Sequence, residues 1–451
     1  MFGGLAGGAD HGASPSAWPS TVPSTVPSTK GAGPQRGALA IVTVLFFMWG
    51  LLTSLNDVLI PHLKGIYTLT YVQAMLVQLC FFSAYFLVSM PAGALIRRIG
   101  YQKGAVTGLL IAASGCALFY PASRGGYALF LLAFFVLAAG IATLQVAANP
   151  YVTALGPART ASSRLTLTQA FNALGTAIGP FVGSLLILSA SSTGTDKAAQ
   201  IAAVQGPYLA LAAALLVLAL VFAAARLPQI GGAVDASAAS TATTATTTTT
   251  TSATSATSAT KGILAQRHLL WGIVAVFLYV GGEVSIGSFL VSFLGDPGVA
   301  GLSAERAARY VSLYWLGAMV GRFIGFAVMR RVSPGKALAC NAGAAIALVL
   351  TAIVGDGAVA MWALLAVGLC NSIMFPTIFS MALHGLGKLA GQGSGMLCMA
   401  IVGGALVPFS QGLLADTVGL RLSFVVPALC YAFVLFFGIK YAALHTTRVA
   451  V

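Results

Sequence analysis

The chain has 451 residues, of which 58% are hydrophobic and 7% charged, with a mean hydropathy of +0.93. This composition excludes a water-soluble globular domain. The formal charge of +14 is spread along the chain, without the compact basic face that a nucleic-acid reader needs, so the expected environment is a lipid bilayer.

In chain order, residues 1–37 repeat "STVPSTVPST" among Gly and Pro. They are too polar to pack, lack the apolar core of a secretory leader, and read as a disordered cytoplasmic tail. Apolar stretches long enough to cross a bilayer then follow at 40–62, 71–96, 104–122, 127–151, 165–190 and 207–226. A low-complexity linker at 229–262, containing "TATTATTTTTTSATSATSAT", separates these from six more stretches at 268–294, 308–329, 336–354, 359–383, 392–415 and 421–444. The alternating segments of a β-barrel are not seen. The reading is an all-α membrane protein of twelve transmembrane helices in two pseudo-symmetric six-helix halves, 38–228 and 263–445, with a short tail at 446–451. The six cysteines lie in apolar spans without CxxC spacing and read as small packing residues rather than disulfides or metal ligands.

Lys and Arg gather at one set of connections: Arg97, Arg98 and Lys103; Arg159 and Arg164; Lys261 and Arg267; Arg330, Arg331 and Lys336; Lys388; Lys440 and Arg448. By the positive-inside rule these face the cytoplasm, together with both termini and the linker.

The two halves share fragments of sequence. "IRRIGYQKG" at 96–104 overlays "MRRVSPGKA" at 329–337, matching both arginines and the lysine. At an offset of 226, Pro150 falls on Pro376 and Gln145 on Asn371; at 228, "GPFVG" (179–183) meets "VPFSQ" (407–411). The offset of 226 also carries Asp57 onto Glu283, and of the nine acids only these two lie well within apolar spans. An ionised carboxylate at the bilayer centre costs at least ~2.5 kcal/mol, so both are expected to face the bundle interior. Low dielectric favours the protonated form of a carboxyl, which suits a group that takes up and releases protons. The bland alternative is that each acid caps a broken helix or pairs with a basic residue such as Arg322.

Gln145 with Asn149, and Gln169 with Asn172, sit at helical spacings that turn two amides toward one cavity. Asn56, Gln78 and Asn371 are further candidates. Neutral amides suit carbohydrate, because a sugar hydroxyl stripped of water needs a partner or costs ~1–3 kcal/mol. The bland reading is interhelical hydrogen bonding, common in membrane bundles. Trp49, Tyr279 and Phe375 are candidate apolar platforms for a sugar ring, as are Tyr314 and Trp315. No metalloprotease, nucleophile-elbow or Walker signature appears, so no enzymatic activity, no metal and no cofactor is expected, and transport would draw on an ion gradient.

These residues carry a resemblance. "GALIRRIGYQKG" after the second span, in a 6+6 repeat, is similar to the Major Facilitator Superfamily, although this connection lacks the acidic residue usual in that motif. "NDVLIPHL", "YFLVSMPAG", "AANPYVTALGP", "TQAFNALGT" and "FPTIFSMAL" resemble its fucose/galactose/hexose proton symporters. The resemblance implies that Asp57 couples protonation to substrate release and that Gln169 and Asn172 line a sugar cavity. Fucose transporters carry glutamate where this chain has Gln145 and glutamine where it has Glu283. That exchange points to the glucose/galactose branch, with glucose, galactose or N-acetylglucosamine as substrate. The implied protein is a monomeric carrier of the bacterial inner membrane importing a hexose with protons by alternating access; the two carboxyls alone do not distinguish protons from sodium. A proton-driven drug exporter and a non-translocating sugar sensor are the alternatives.

Overall fold

A computed structural model describes residues 32–67, 71–183, 197–225, 227–228 and 265–442; at 32–36, 55–67, 71–78, 123–125, 180–183, 197–204, 304, 305 and 308 only the backbone is described. The N-terminal tail up to residue 31, the linker at 229–262 and the C-terminal tail lie outside the described residues, as do the side chains of Asn56, Asp57 and Gln78.

The first half comprises α1 (Ala32–Tyr67), α2 (Tyr71–Ile99), α3 (Tyr101–Gly125), α4 (Tyr127–Ala154), α5 (Ala161–Gly183) and α6 (Lys197–Ala224). The second begins with α7 (Arg267–Gly295), α8 (Ala304–Val328) and α9 (Pro334–Val354). Its tenth crossing is broken into α10 (Gly357–Asn371) and α11 (Met374–Ala382). The eleventh is α12 (Ala390–Met399) and α13 (Gly403–Val418), joined by a 3-10 turn at Ala400–Val402. The twelfth is α14 (Leu420–Ser423) with α15 (Val425–Lys440). Eleven of these crossings are long and apolar enough to span a bilayer. The described part of α5 falls short because its first turns carry Ser162, Ser163, Arg164, Thr166, Thr168 and Gln169.

Packing repeats between the halves. Helix α1 lies against α5 as α7 lies against α13; α3 packs on α6 as α9 packs on α15; α2 meets α4 as α8 meets α10. The first of these crossings shows the cause. A side chain on Gly50 would collide with the Asn172 carbonyl and one on Gly175 with the Phe47 carbonyl. In the second half, a side chain on Gly281 would strike Val407 and one on Gly403 the Phe277 carbonyl. Gly281 stands 231 residues after Gly50 and Gly403 stands 228 after Gly175, so the same backbone-to-backbone approach is written twice.

The matched prolines repeat as well. A proline lacks the N–H that would bond the carbonyl four residues earlier, so Pro150 in α4 frees the carbonyl of Val146 and Pro376 in α11 frees that of Ser372. Both are taken up from neighbouring helices. Ser394 of α12 donates to the Val146 carbonyl at 2.8 Å, and the Arg322 guanidinium Nε of α8 donates to the Ser372 carbonyl at 3.3 Å.

The Ser394 bond is one of several joining the halves at the end that carries the basic connections. Ser162 and Ser380 share a hydrogen bond at 2.5 Å, and Ser163 donates to the Phe326 carbonyl at 2.7 Å. Gly93 of α2 comes so close to α12 that an added Cβ would lie 2.8 Å from the Gly391 carbonyl. The described inter-half seal is thus neutral, built from serines, carbonyls and glycines. That agrees with the missing acidic residue in the connection after α2.

Candidate functional site

Between the halves lies a cavity of about 580 Å³. Helix α1 contributes Trp49 and Thr53, α2 Phe81 and Tyr85, α4 Phe134 and Gln145, and α5 Gln169 and Asn172. From the second half come Val280, Glu283, Val284, Gly287 and Ser288 of α7, Trp315 and Arg322 of α8, Phe375 of α11, and Ile401. Val280, Val284 and Ser288, and likewise Glu283 and Gly287, follow the i, i+4 repeat that turns one helix face inward.

The polar groups here are incompletely satisfied. Gln145 Oε1, Gln169 Nε2 and Glu283 Oε1 are buried and have no hydrogen-bond partner among the described residues. Such atoms cost roughly 1–3 kcal/mol each when left unpaired, so they suit a ligand bearing both donors and acceptors. Asn172 commits its Nδ2 to the Phe46 carbonyl at 3.0 Å, which aligns the amide and leaves its oxygen uncommitted by that bond. Arg322 is fixed at the opposite wall by its bond to Ser372, the carbonyl exposed by Pro376. The Glu283 carboxyl stands within interaction range of Arg322 and of the Tyr279 hydroxyl. Among the described residues it makes no direct ion-pair contact; the described pair is Arg421 with Asp356 at 2.9 Å, remote from the cavity.

Of the residues expected from sequence, Trp49, Gln145, Gln169, Asn172, Glu283 and Phe375 therefore meet on one cavity. Three others stand off its wall. Asn149 is fully buried, and neither of its amide atoms has a partner among the described residues. Asn371 donates through Nδ2 to the Tyr314 hydroxyl at 2.7 Å, and Tyr279 donates to the Asn371 backbone carbonyl at 3.0 Å. This network braces α7 against α8 and α10 one turn from Glu283, a supporting position rather than a lining one. The side chains of Asn56 and Asp57 lie outside the described residues, although α1 runs unbroken from Trp49 through position 57.

Sequence reasoning passed over Thr53, Phe81, Tyr85, Phe134 and Ser288, and it read Arg322 only as a partner for an acid. Arg322 had a signal, being a cation well inside an apolar span, where a charge normally marks a water-filled path. The aromatic residues had none that separated them from packing.

A twelve-helix bundle in two six-helix halves around one central polar cavity is the architecture of a secondary transporter. The family model of the Major Facilitator Superfamily matches residues 42–401, and the chain belongs to that superfamily. Among curated relatives, the glucose/galactose transporter of Brucella abortus is 55% identical over 404 residues, covering 89% of this chain and 93% of the relative. The L-fucose-proton symporter of Escherichia coli is 34% identical over 428 residues, covering 91% of this chain and 94% of the relative. A crystal structure of the E. coli fucose:proton symporter aligns with a TM-score of 0.80 at 31% identity, over 90% of this chain and 99% of that one.

Proposed function

We propose that the protein is a proton-coupled sugar importer of glucose/galactose type working by alternating access. The observation that carries the reading is the central cavity itself: buried amide and carboxyl atoms without partners, set between aromatic walls and contributed by both halves. A monosaccharide presents hydroxyls that both donate and accept, and apolar ring faces that rest on aromatic planes. The identity to the B. abortus glucose/galactose transporter supports the substrate class, and the likeness to the fucose:proton symporter supports the coupling.

In this mechanism Asp57 and Glu283 carry the transported protons. Gln145, Gln169, Asn172 and Asn56 hold sugar hydroxyls, while Trp49 and Phe375 flank the ring. Tyr279 and Asn371 keep the lining helices in register. Arg322 supplies a fixed positive charge across the cavity, so that protonation of Glu283 changes the net charge of the loaded site and with it the ease of reorientation. The basic connections support a cytoplasmic position for the serine-sealed end and both termini, in a bacterial inner membrane. The monomer is the functional unit, because each half supplies one wall of a complete cavity.

The cavity favours this reading over a drug exporter, since its polar side chains come from six helices of both halves and match hydroxyls rather than a large apolar cation. The test is uptake of labelled galactose into proteoliposomes, competed by a panel of unlabelled sugars at two external pH values. Competition by glucose and galactose with faster uptake at acid external pH is expected. Uptake responding to sodium but not to pH, or counterflow with no ion dependence, would overturn the proton coupling.

A further inference from the structure

A second, smaller cavity of about 230 Å³ lies at the serine-sealed end. Three helices run from the central cavity to it, and the same face of each can be followed from one to the other. On α4, Gln145 lines the central cavity and Thr153 the second one; on α5 the two are Gln169 and Ala161; on α11 they are Phe375 and the capping residue Leu383. Each pair is eight residues apart, so a third residue lies midway on that face, about 6 Å along the axis from either end. The midway residues are Asn149, Leu165 and Phe379, and all three are fully buried. They form the partition between the cavities, and the Ser162–Ser380 hydrogen bond ties its α5 side to its α11 side.

Two of the three suit a wall. Leu165 and Phe379 fill space and need no hydrogen-bond partner, whereas Asn149 does. Neither its Nδ2 nor its Oδ1 has a partner among the described residues, although an amide left unpaired in an apolar layer costs stability. Nearby donors pass it by: Ser394 goes to the Val146 carbonyl, and Arg164 to the carbonyls of Val152 and Thr153. At the offset of 226 that relates the halves, Asn149 matches Phe375, itself a lining residue, which sets the amide at the level of the central cavity's floor. Interhelical hydrogen bonding, the ordinary use of such an amide, is therefore not its use in this arrangement.

We propose that Asn149 is an inner sugar contact: idle while the serine-sealed end is closed, it takes a pair of adjacent hexose hydroxyls when the partition parts. The inference rests on the transporter reading above. A carboxamide offers an acceptor and a donor side by side, and two neighbouring hydroxyls, one donating and one accepting, match both at once. A hexose leaving Gln145 for the basic end meets Asn149 one helical turn on. Hydroxyls released by one amide are then taken by the next instead of crossing an apolar gap unpaired. The two faces of the carrier accordingly differ. Sugar arriving from outside binds in the central cavity without Asn149, and sugar arriving from the basic end binds with it.

The test uses the full chain in orientation-sorted proteoliposomes with the basic end facing the lumen. Counterflow of labelled galactose is followed while unlabelled galactose is varied on one side at a time, and the series is repeated with each monodeoxy galactose. Asn149→Leu keeps roughly the shape of the side chain and neither polar atom. It is expected to raise the luminal half-saturating concentration about fivefold, the worth of one neutral hydrogen bond, with the external value changed by less than about twofold. In the wild-type chain the deoxy sugars lacking the hydroxyls that Asn149 meets should be weak at the luminal face, and in the variant that penalty should vanish. Asn149→Ser, which retains one donor and one acceptor, should fall between the two and supplies the comparison if the leucine variant does not fold. A merely structural Asn149 would weaken every sugar alike. Equal losses at both faces, an unchanged luminal affinity, or the same deoxy-sugar penalties in wild type and variant would each overturn the proposal. Absence of counterflow in the wild-type chain would instead indict the transporter reading, which keeps the two failures apart.

Discussion

Glu283 is the intramembrane acid whose side chain the structure describes, and Asp57 is its counterpart at a sequence offset of 226. Glu283 shares its cavity with Arg322, held by the Ser372 carbonyl, and with Gln145 and Gln169, whose buried atoms lack partners. Replacing Asp57 by Asn removes a titrating group while keeping a polar side chain. Sugar-induced proton uptake into proteoliposomes is expected to disappear while galactose counterflow persists; intact proton uptake would refute its coupling role. Glu283→Gln is expected to abolish accumulation against a gradient in the same assay. The supporting network predicts a different outcome. Asn371→Ala leaves the Tyr314 hydroxyl buried without the Nδ2 donor from which it now accepts, a loss of roughly 1–3 kcal/mol. Thermal unfolding in detergent should fall accordingly, with the apparent affinity for sugar little changed.

Elements are governed by where small residues and prolines let helices meet. Pro150 and Pro376 each open one carbonyl, and what takes the carbonyl determines what the helix does. Val146 is tied across the halves by Ser394, whereas Ser372 holds the cationic side chain of the cavity wall. Ser394→Ala removes a neutral bond worth about 1 kcal/mol, or roughly a fivefold change in the balance between open and closed arrangements. Cysteine labelling at the basic end should increase by about that factor, and Pro150→Ala, which restores the internal partner of Val146, should act in the same direction. Gly50→Leu tests the crossing of α1 and α5. Overpacking there is expected to exceed the usual ~1–3 kcal/mol because the neighbour is backbone and cannot rotate away, so the protein should fail to appear as a monodisperse peak in detergent.

For the whole molecule, the halves meet around one central cavity and, among the described residues, are joined at one end by neutral hydrogen bonds instead of ion pairs. Such a seal is weakly sensitive to salt, because screening acts on charges. The rate of galactose counterflow is therefore expected to change less than twofold between low and physiological ionic strength, a comparison made with impermeant salts. A steep salt dependence would point to a charged gate.

The twelve crossings, the 6+6 repeat and the two intramembrane acids were open to reading in one dimension, because hydrocarbon imposes length, apolarity and a penalty on charge residue by residue. The amides show where that stops. Gln145 and Asn149 occupy one face of α4, yet Gln145 lines the cavity and Asn149, fully buried one turn further along, does not. Asn371, aligned with Gln145 in the repeat, is turned into the Tyr314 network. Helical spacing states which residues share a face; the depth at which a neighbouring helix seals that face depends on glycines and serines far away in sequence. Composition and periodicity thus determined that this chain crosses a membrane twelve times and carries two acids well within its apolar spans. Only tertiary packing decided which polar side chains share a chamber and which end of the bundle is closed, because both depend on contacts between helices that no local pattern encodes.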